Sequence, residues 1–163
     1  MKAIIAAIIT SSLFLVSCKQ KTDGKTKDYF YSSGGGLGLK RVPLIKPYEA
    51  VMWAADDWRI NFETPQLLEL SIHNVKSVNV LDSVIILYAS GDVSIRSVKY
   101  PEGWFVIIPN EKIEEGFEHK KDFLARLNTF GITDPSLHDL DSVYSIFKAK
   151  EKLDWPNINL RKK

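Results

Sequence analysis

The sequence predicts an α+β fold, in which an antiparallel β-meander precedes two C-terminal amphipathic helices packed on one face. From Tyr29 to about Pro109, short runs of β-branched and aromatic residues are separated by turn residues, which indicates about five to seven strands. Beyond that point, apolar residues recur at spacings of three and four, the period of an α-helix. We therefore expect residues 29–163 to form a single domain.

The strand candidates lie between clear turn signals. Turns are predicted at Asp56-Asp57, Asp82-Ser83, 90–92 and 101–103, which contain the aspartates, serines, glycines and proline typical of tight turns. VIILYA and WFVII do not alternate apolar with polar residues, so we expect both their faces to be covered, in the middle of the sheet. The candidate strands are PYEAVMWA (47–54), WRINF (58–62), LLELSI (67–72), VKSVNV (75–80), VIILYA (84–89), VSIRSV (93–98) and WFVIIP (104–109).

Two helices are predicted after the strands. In the first, Phe123, Leu127 and Phe130 fall on one face, and Gly131 is a natural end. The second is expected to start at residues 134–136, because an aspartate followed by proline is a common helix start. Its apolar face comprises Leu137, Leu140, Tyr144 and Phe147, and its C-terminal end comprises Lys148, Lys150 and Lys152.

The N-terminus has the pattern of a cleaved export signal. Met1-Lys2 is followed by an uncharged apolar stretch at 3–16, which is shorter than the ~20 residues of a membrane-spanning helix. The stretch ends in Leu15-Val16-Ser17-Cys18, which resembles the lipobox of bacterial lipoproteins. The resemblance covers the export segment alone. It implies a signal peptide at 1–17, cleavage between Ser17 and Cys18, and fatty acids, typically palmitate, on Cys18.

The next segment is predicted to be a flexible tether. Residues 18–28 are polar and rich in lysine, and they contain no large apolar side chain that could be buried. Lys19 occupies the position where an aspartate favours inner-membrane retention in enterobacterial lipoproteins. The resemblance therefore implies a lipid-anchored protein of the bacterial envelope, with the periplasmic side of the outer membrane favoured over the inner membrane.

Composition excludes several classes of function. Cys18 is the only cysteine, so the mature domain has no thiol nucleophile, disulfide or thiolate metal site. The formal net charge is +2, which gives no reason to expect nucleic acid as a partner. The glycine run SSGGGLGLK (32–40) lacks the GK[ST] ending of a phosphate-binding loop, so we interpret it as a joint. No cofactor is predicted other than the covalent lipid.

No catalytic or metal-binding set is evident. His73, His119 and His138 form neither H-x-x-x-H nor H-E-x-x-H. The paired carboxylates Asp56-Asp57 and Glu114-Glu115 are interpreted as solvated residues. We therefore predict a non-enzymatic protein.

The tryptophans are the best candidates for binding. Trp53 and Trp58 flank the Asp56-Asp57 turn, and Trp104 opens a strand, so these three rings and the two turn aspartates are the candidate binding residues. Such rings can stack on sugars, anchor a protein partner or cover the edge of a small core.

The leading functional prediction is a protein-binding envelope lipoprotein, for example an immunity-type protein that blocks a toxin. The first alternative is a carbohydrate-binding lipoprotein with Trp53, Trp58 and Trp104 exposed in a row. The second is a small envelope hydrolase whose site is assembled from distant residues.

Overall fold

The computed structural model describes residues 28–32, 39–62 and 71–158. The first of two antiparallel sheets has four strands in chain order. They are β1 (Arg41–Pro43), β2 (Glu49–Ala54), β3 (Asp57–Asn61) and β4 (Ser71–Ile72). The predicted signal peptide, Cys18, nearly all of the predicted tether and most of the glycine run lie outside the described residues.

The second sheet has five strands, in the order β8-β7-β6-β5-β9, and two helices accompany it. Its strands are β5 (Val75–Leu81), β6 (Val84–Ile95), β7 (Val98–Ile108), β8 (Ile113–Phe117) and β9 (His138–Asp139). The helices are α1 (Lys120–Asn128) and α2 (Leu140–Lys150). The α+β class is confirmed, but the strands form two sheets instead of one meander. None of the described helices has the length and apolar content needed to cross a membrane.

The second sheet is covered on both faces. Alternate residues of β6 and β7, such as Ile85 and Ile107, pack with the first sheet and α2. The residues between them, such as Ile86 and Val106, pack with α1. VIILYA and WFVII are therefore central, as predicted. The helices do not share a face, contrary to expectation, because a sheet apolar on both faces needs a covering layer on each.

The β6–β7 hairpin reverses at a different place from the predicted turns. Arg96 and Ser97 both have positive φ, 52° and 65°, as in the two-residue turn that suits twisted hairpins. The predicted turns at 90–92 and 101–103 lie inside the strands. Residues 91–92 form a bulge between Ser90 and Val93. Pro101 lies opposite that bulge, where its missing N–H interrupts no ladder.

Two glycines let the Phe105 ring pack closely against the second sheet. A Cβ on Gly103 would lie 3.0 Å from Val93 Cγ1 and 3.3 Å from Phe105 Cε2. A Cβ on Gly116 would lie 3.0 Å from both Phe105 Cε1 and Ile95 Cγ2. The ring of Phe105 is 1% exposed, and a larger residue in place of either glycine would collide with it.

The first helix matches its prediction and the second begins later. Phe123 and Leu127 are buried on α1, and Gly131 follows it with φ 76°. Instead of starting at 134–136, α2 is capped by Asp139, whose side chain accepts a 2.9 Å hydrogen bond from the Ser142 N–H. The predicted start is not helical and leads into β9, which pairs with β5.

Candidate binding site

The β2–β3 hairpin carries four of the five binding residues predicted from the sequence. Trp53 lies near the end of β2, Asp56 in the turn, and Asp57 and Trp58 at the start of β3. Asp56 has φ 61°, a left-handed turn conformation that aspartate tolerates. Trp104 lies in β7 of the other sheet. The hairpin therefore defines the site, and Trp104 is separate from it.

Trp58 fixes the hairpin to α2. It is 2% exposed, and its Nε1–H donates a 3.2 Å hydrogen bond to Asp141 Oδ1. Its ring centroid lies 5.9 Å from that of Tyr144, at a tilt of 57°. This tryptophan packs in the core and holds the hairpin against the helix, so a ligand in solution cannot stack on its ring.

Trp53 is the exposed aromatic residue of the hairpin. It is 66% exposed, and the Arg59 guanidinium carbon lies 5.6 Å from its ring centroid, within cation–π range. Arg59 is held in turn by Asp57, whose Oδ2 accepts a 2.7 Å hydrogen bond from Arg59 Nε. The indole is therefore braced, in that Arg59 packs on one face of the ring, while the rest of its surface is exposed to solvent.

Asp57 joins this brace to the neighbouring loop. Its Oδ1 accepts a 3.0 Å hydrogen bond from the Asn74 backbone N–H, so both carboxylate oxygens have partners. Burial alone would raise the pKa of the Asp57 carboxyl. The hydrogen bonds from Arg59 and Asn74 and the positive charge of Arg59 outweigh burial and hold that pKa below its ordinary value.

We expect Asp57→Asn to lower the free energy of unfolding by about 1–3 kcal/mol at pH 7, because it removes charged hydrogen bonds. A carboxyl whose pKa is depressed by folding stabilises the native state above its unfolded pKa. That contribution is lost as pH falls through the folded value, so the difference between Asp57→Asn and the parent should shrink below about pH 4. Urea unfolding at several pH values measures this.

Asp56→Asn is the matched control for this prediction. Asp56 is exposed, and asparagine also tolerates its left-handed backbone, so we expect a change within about 0.5 kcal/mol at every pH. A pH-independent difference between Asp57→Asn and the parent would contradict the role given to the charge.

A cleft of ≈ 690 Å³ lies beside the hairpin, where the β2–β3 turn meets α2. Lys40 Nζ sits 5.6 Å from the Tyr144 ring centroid within it. The charged side chains along this hairpin cleft comprise two cations and two anions, so it is polar but close to neutral. Its lining is Lys40, Asp56, Asp141, Tyr144, Ser145, Lys148 and Ala149.

Trp104 lines a different cavity, of ≈ 310 Å³, between the second sheet and α1. It is 8% exposed, and its ring centroid lies 5.3 Å from that of Tyr88. The Tyr88 hydroxyl donates a 2.7 Å hydrogen bond to Glu102 Oε2. That hydrogen bond, burial and the Glu102 charge raise the pKa of Tyr88 above its ordinary value. The three predicted tryptophans therefore do not form an exposed row.

The second pair of carboxylates is divided between the two faces of β8. Glu114 is buried and accepts a 2.6 Å hydrogen bond from the Tyr48 hydroxyl. Glu115 forms a two-pronged ion pair with Arg126 of α1, at 2.6 and 3.0 Å. Neighbouring residues of a strand point to opposite faces, so these carboxylates cannot act on one atom.

The histidines lie in different elements. His73 Nε2 is 2.9 Å from the Ser71 hydroxyl, His119 precedes α1, and His138 lies in β9, where burial lowers its pKa. Within residues 28–32, 39–62 and 71–158, no group of three or more potential ligands could hold a metal ion.

No family model matches the chain, and neither a curated protein nor a solved structure shows significant similarity to it. Function must therefore be inferred from the N-terminal sequence pattern and from the surfaces that the fold presents.

Proposed function

We propose that this protein is a lipid-anchored, non-enzymatic lipoprotein of the bacterial envelope, which binds a protein partner through the β2–β3 hairpin. The sequence Leu15-Val16-Ser17-Cys18 after a short apolar stretch supports the anchor. The exposed, braced Trp53 supports the binding surface, and it is the observation on which the proposal chiefly depends. An immunity-type lipoprotein is one kind of protein with this arrangement.

Trp53 has the properties of an interface anchor. Tryptophan and arginine are enriched among the residues that dominate binding energy, and here the two are stacked together. Because Asp57 holds Arg59, the ring is positioned before a partner arrives, and less conformational entropy is lost on binding. An apolar pocket on a protein partner is the natural complement of this ring.

The hairpin cleft would supply specificity. Lys40 and Lys148 can pair with carboxylates of a partner, while Asp56 can accept from its donors. Charges arranged in this way reject a partner of the wrong pattern more than they add affinity. We therefore expect a partner with a large apolar side chain flanked by charges of both signs.

We expect Trp53→Ala to weaken binding to that partner by a factor of roughly 30, since truncating a central aromatic anchor costs about 2 kcal/mol or more. The partner is first captured from envelope extracts with protein lacking residues 1–18. Its affinity for the parent and the variant is then measured by calorimetry.

Val98→Ala is the control, because Val98 is also an exposed apolar residue, at 51%, but lies in the β6–β7 hairpin. Unchanged affinity in Trp53→Ala would rule out the hairpin as the binding surface. Trp53-dependent binding to envelope glycans, with no protein captured, would favour the carbohydrate alternative. Turnover of an envelope substrate by the purified domain would favour the hydrolase alternative, which stays a prediction.

A further inference from the structure

The first described residues are fixed to the body of the domain. Arg41, which is 8% exposed, donates from Nη2 to the Phe30 carbonyl at 2.8 Å and from Nη1 to the Ser32 carbonyl at 3.2 Å. Its Nε donates to Glu49 Oε2 at 2.7 Å, and its guanidinium carbon lies 5.5 Å from the Phe30 ring centroid. The predicted tether therefore ends at a defined place on the domain.

Aromatic and basic side chains surround that place. Tyr29 is 75% exposed and Tyr31 is 41% exposed. The Tyr31 hydroxyl accepts a hydrogen bond from the Lys46 N–H at 3.2 Å, and the Lys46 ammonium lies 3.8 Å from Asp28. A further cavity of ≈ 290 Å³ adjoins this segment, lined by Tyr31, Pro43, Lys152, Leu153 and Trp155.

We propose that this tether-end face, formed by Tyr29, Tyr31, Lys46, Lys152 and Trp155, rests on the headgroup region of an anionic bilayer. Tyrosine and tryptophan favour the boundary between lipid and water, where the ring is apolar and its polar atom stays hydrated. Each lysine near an anionic surface contributes attraction that decays within a Debye length. The aromatic rings meet the first requirement and Lys152 meets the second, while the charge of Lys46 is partly offset by Asp28, 3.8 Å away.

The length of the linking chain supports this occupant. An extended chain spans at most about 3.5 Å per residue, so the ten steps from Cys18 to Asp28 reach about 35 Å. That reach is an upper bound, since a flexible chain of ten steps averages roughly 16–19 Å, which is about half the diameter of a domain of this size. The face at which the link ends is thus the one held nearest to the acylated residue. The inference rests on the proposed lipid anchor.

Site-specific quenching on vesicles tests the proposal. The acylated sulfur of Cys18 cannot react, so a single introduced cysteine gives a unique fluorophore position in the full mature chain. One label replaces Asp154, next to Trp155, and the other replaces Ala55, in the β2–β3 turn; both positions are exposed. Acylated protein is incorporated into vesicles of phosphatidylglycerol and phosphatidylethanolamine that carry brominated lipid.

We expect the label at Asp154→Cys to be quenched several-fold more than the label at Ala55→Cys. Combining Asp154→Cys with Tyr29→Ser, Tyr31→Ser and Lys152→Ser should remove most of that difference. Equal quenching of the two labels on protein that floats with the vesicles would overturn the tether-end face and leave the anchor intact. Acylated protein that fails to float would overturn the anchor, and the face with it.

Discussion

Replacing Cys18 by serine should abolish fatty-acid incorporation and leave only the uncleaved precursor. The lipobox chemistry requires the cysteine sulfur, since diacylglycerol is attached there before the signal peptide is removed. Metabolic labelling with palmitate and intact-mass measurement of the purified chain test both steps. The parent should give a mature chain that starts at Cys18 and carries the mass of the attached lipid.

Ser17→Ala is the matched control, because the resemblance requires only a small residue before the cysteine. That variant should be labelled and cleaved like the parent. Two or three acyl chains, at ~0.8 kcal/mol per buried CH₂, attach a protein almost irreversibly, so the parent should remain on membranes through a carbonate wash. A Cys18→Ser protein that is cleaved and retained like the parent, or an unmodified residue 18, would contradict the anchor.

Phe105→Ala should cause the largest loss of folding stability, about 3–5 kcal/mol. The ring is 1% exposed in the middle of β7, and its centroid lies 6.5 Å from that of Phe62. Removing it opens a cavity that β7 cannot easily close, because that strand is paired with β6 on one side and β8 on the other. Thermal unfolding should shift down by about 10 °C or more, and urea unfolding gives the free energy.

Gly116→Ala distinguishes close packing from simple burial. Its methyl group would meet Phe105 and Ile95 at 3.0 Å, so it should destabilise the parent, and it should cost less in the Phe105→Ala background, where only the Ile95 contact remains. The two effects should therefore be non-additive. Val98→Ala, at the exposed start of β7, should change the free energy of unfolding by less than about 0.5 kcal/mol. Additive losses would show that the ring and the glycine do not share one space.

Local sequence patterns were sufficient for the class of fold and for its central strands. WFVII and VIILYA contain no polar residue that could face water, and they lie where both faces are covered. The same patterns could not locate the β6–β7 turn, because Gly91 and Pro101 are typical of turns and of bulges alike. Only pairing between the strands shows that the two residues oppose each other at a bulge within one continuous hairpin.

Local sequence patterns also could not predict that α1 and α2 cover opposite faces of the second sheet. Amphipathic spacing identifies the apolar face of a helix but does not say which surface it meets. The late start of α2 has a similar cause, since residues 138–139 pair with β5, a contact about 60 residues away in the chain.

The candidate site could be predicted in part. Trp53, Asp56, Asp57 and Trp58 are close in the chain, so one hairpin brings them together, whereas Trp104 depends on a distant strand. Trp53 is exposed and Trp58 is buried because the two side chains lie on opposite faces of their hairpin. Arg59 was missed, although it follows Asp57 at the two-residue spacing that puts strand side chains on one face.

The direction of β2 has a consequence for how a partner would approach. Glu49, where β2 starts, is joined to Arg41 and so to the tether end, while Trp53 lies four residues further along, about 13 Å away at the rise of an extended strand. Under the proposed placement on a bilayer, β2 would act as a spacer between the lipid and the indole. A rigid protein partner could then contact the ring from the aqueous side without displacing headgroups.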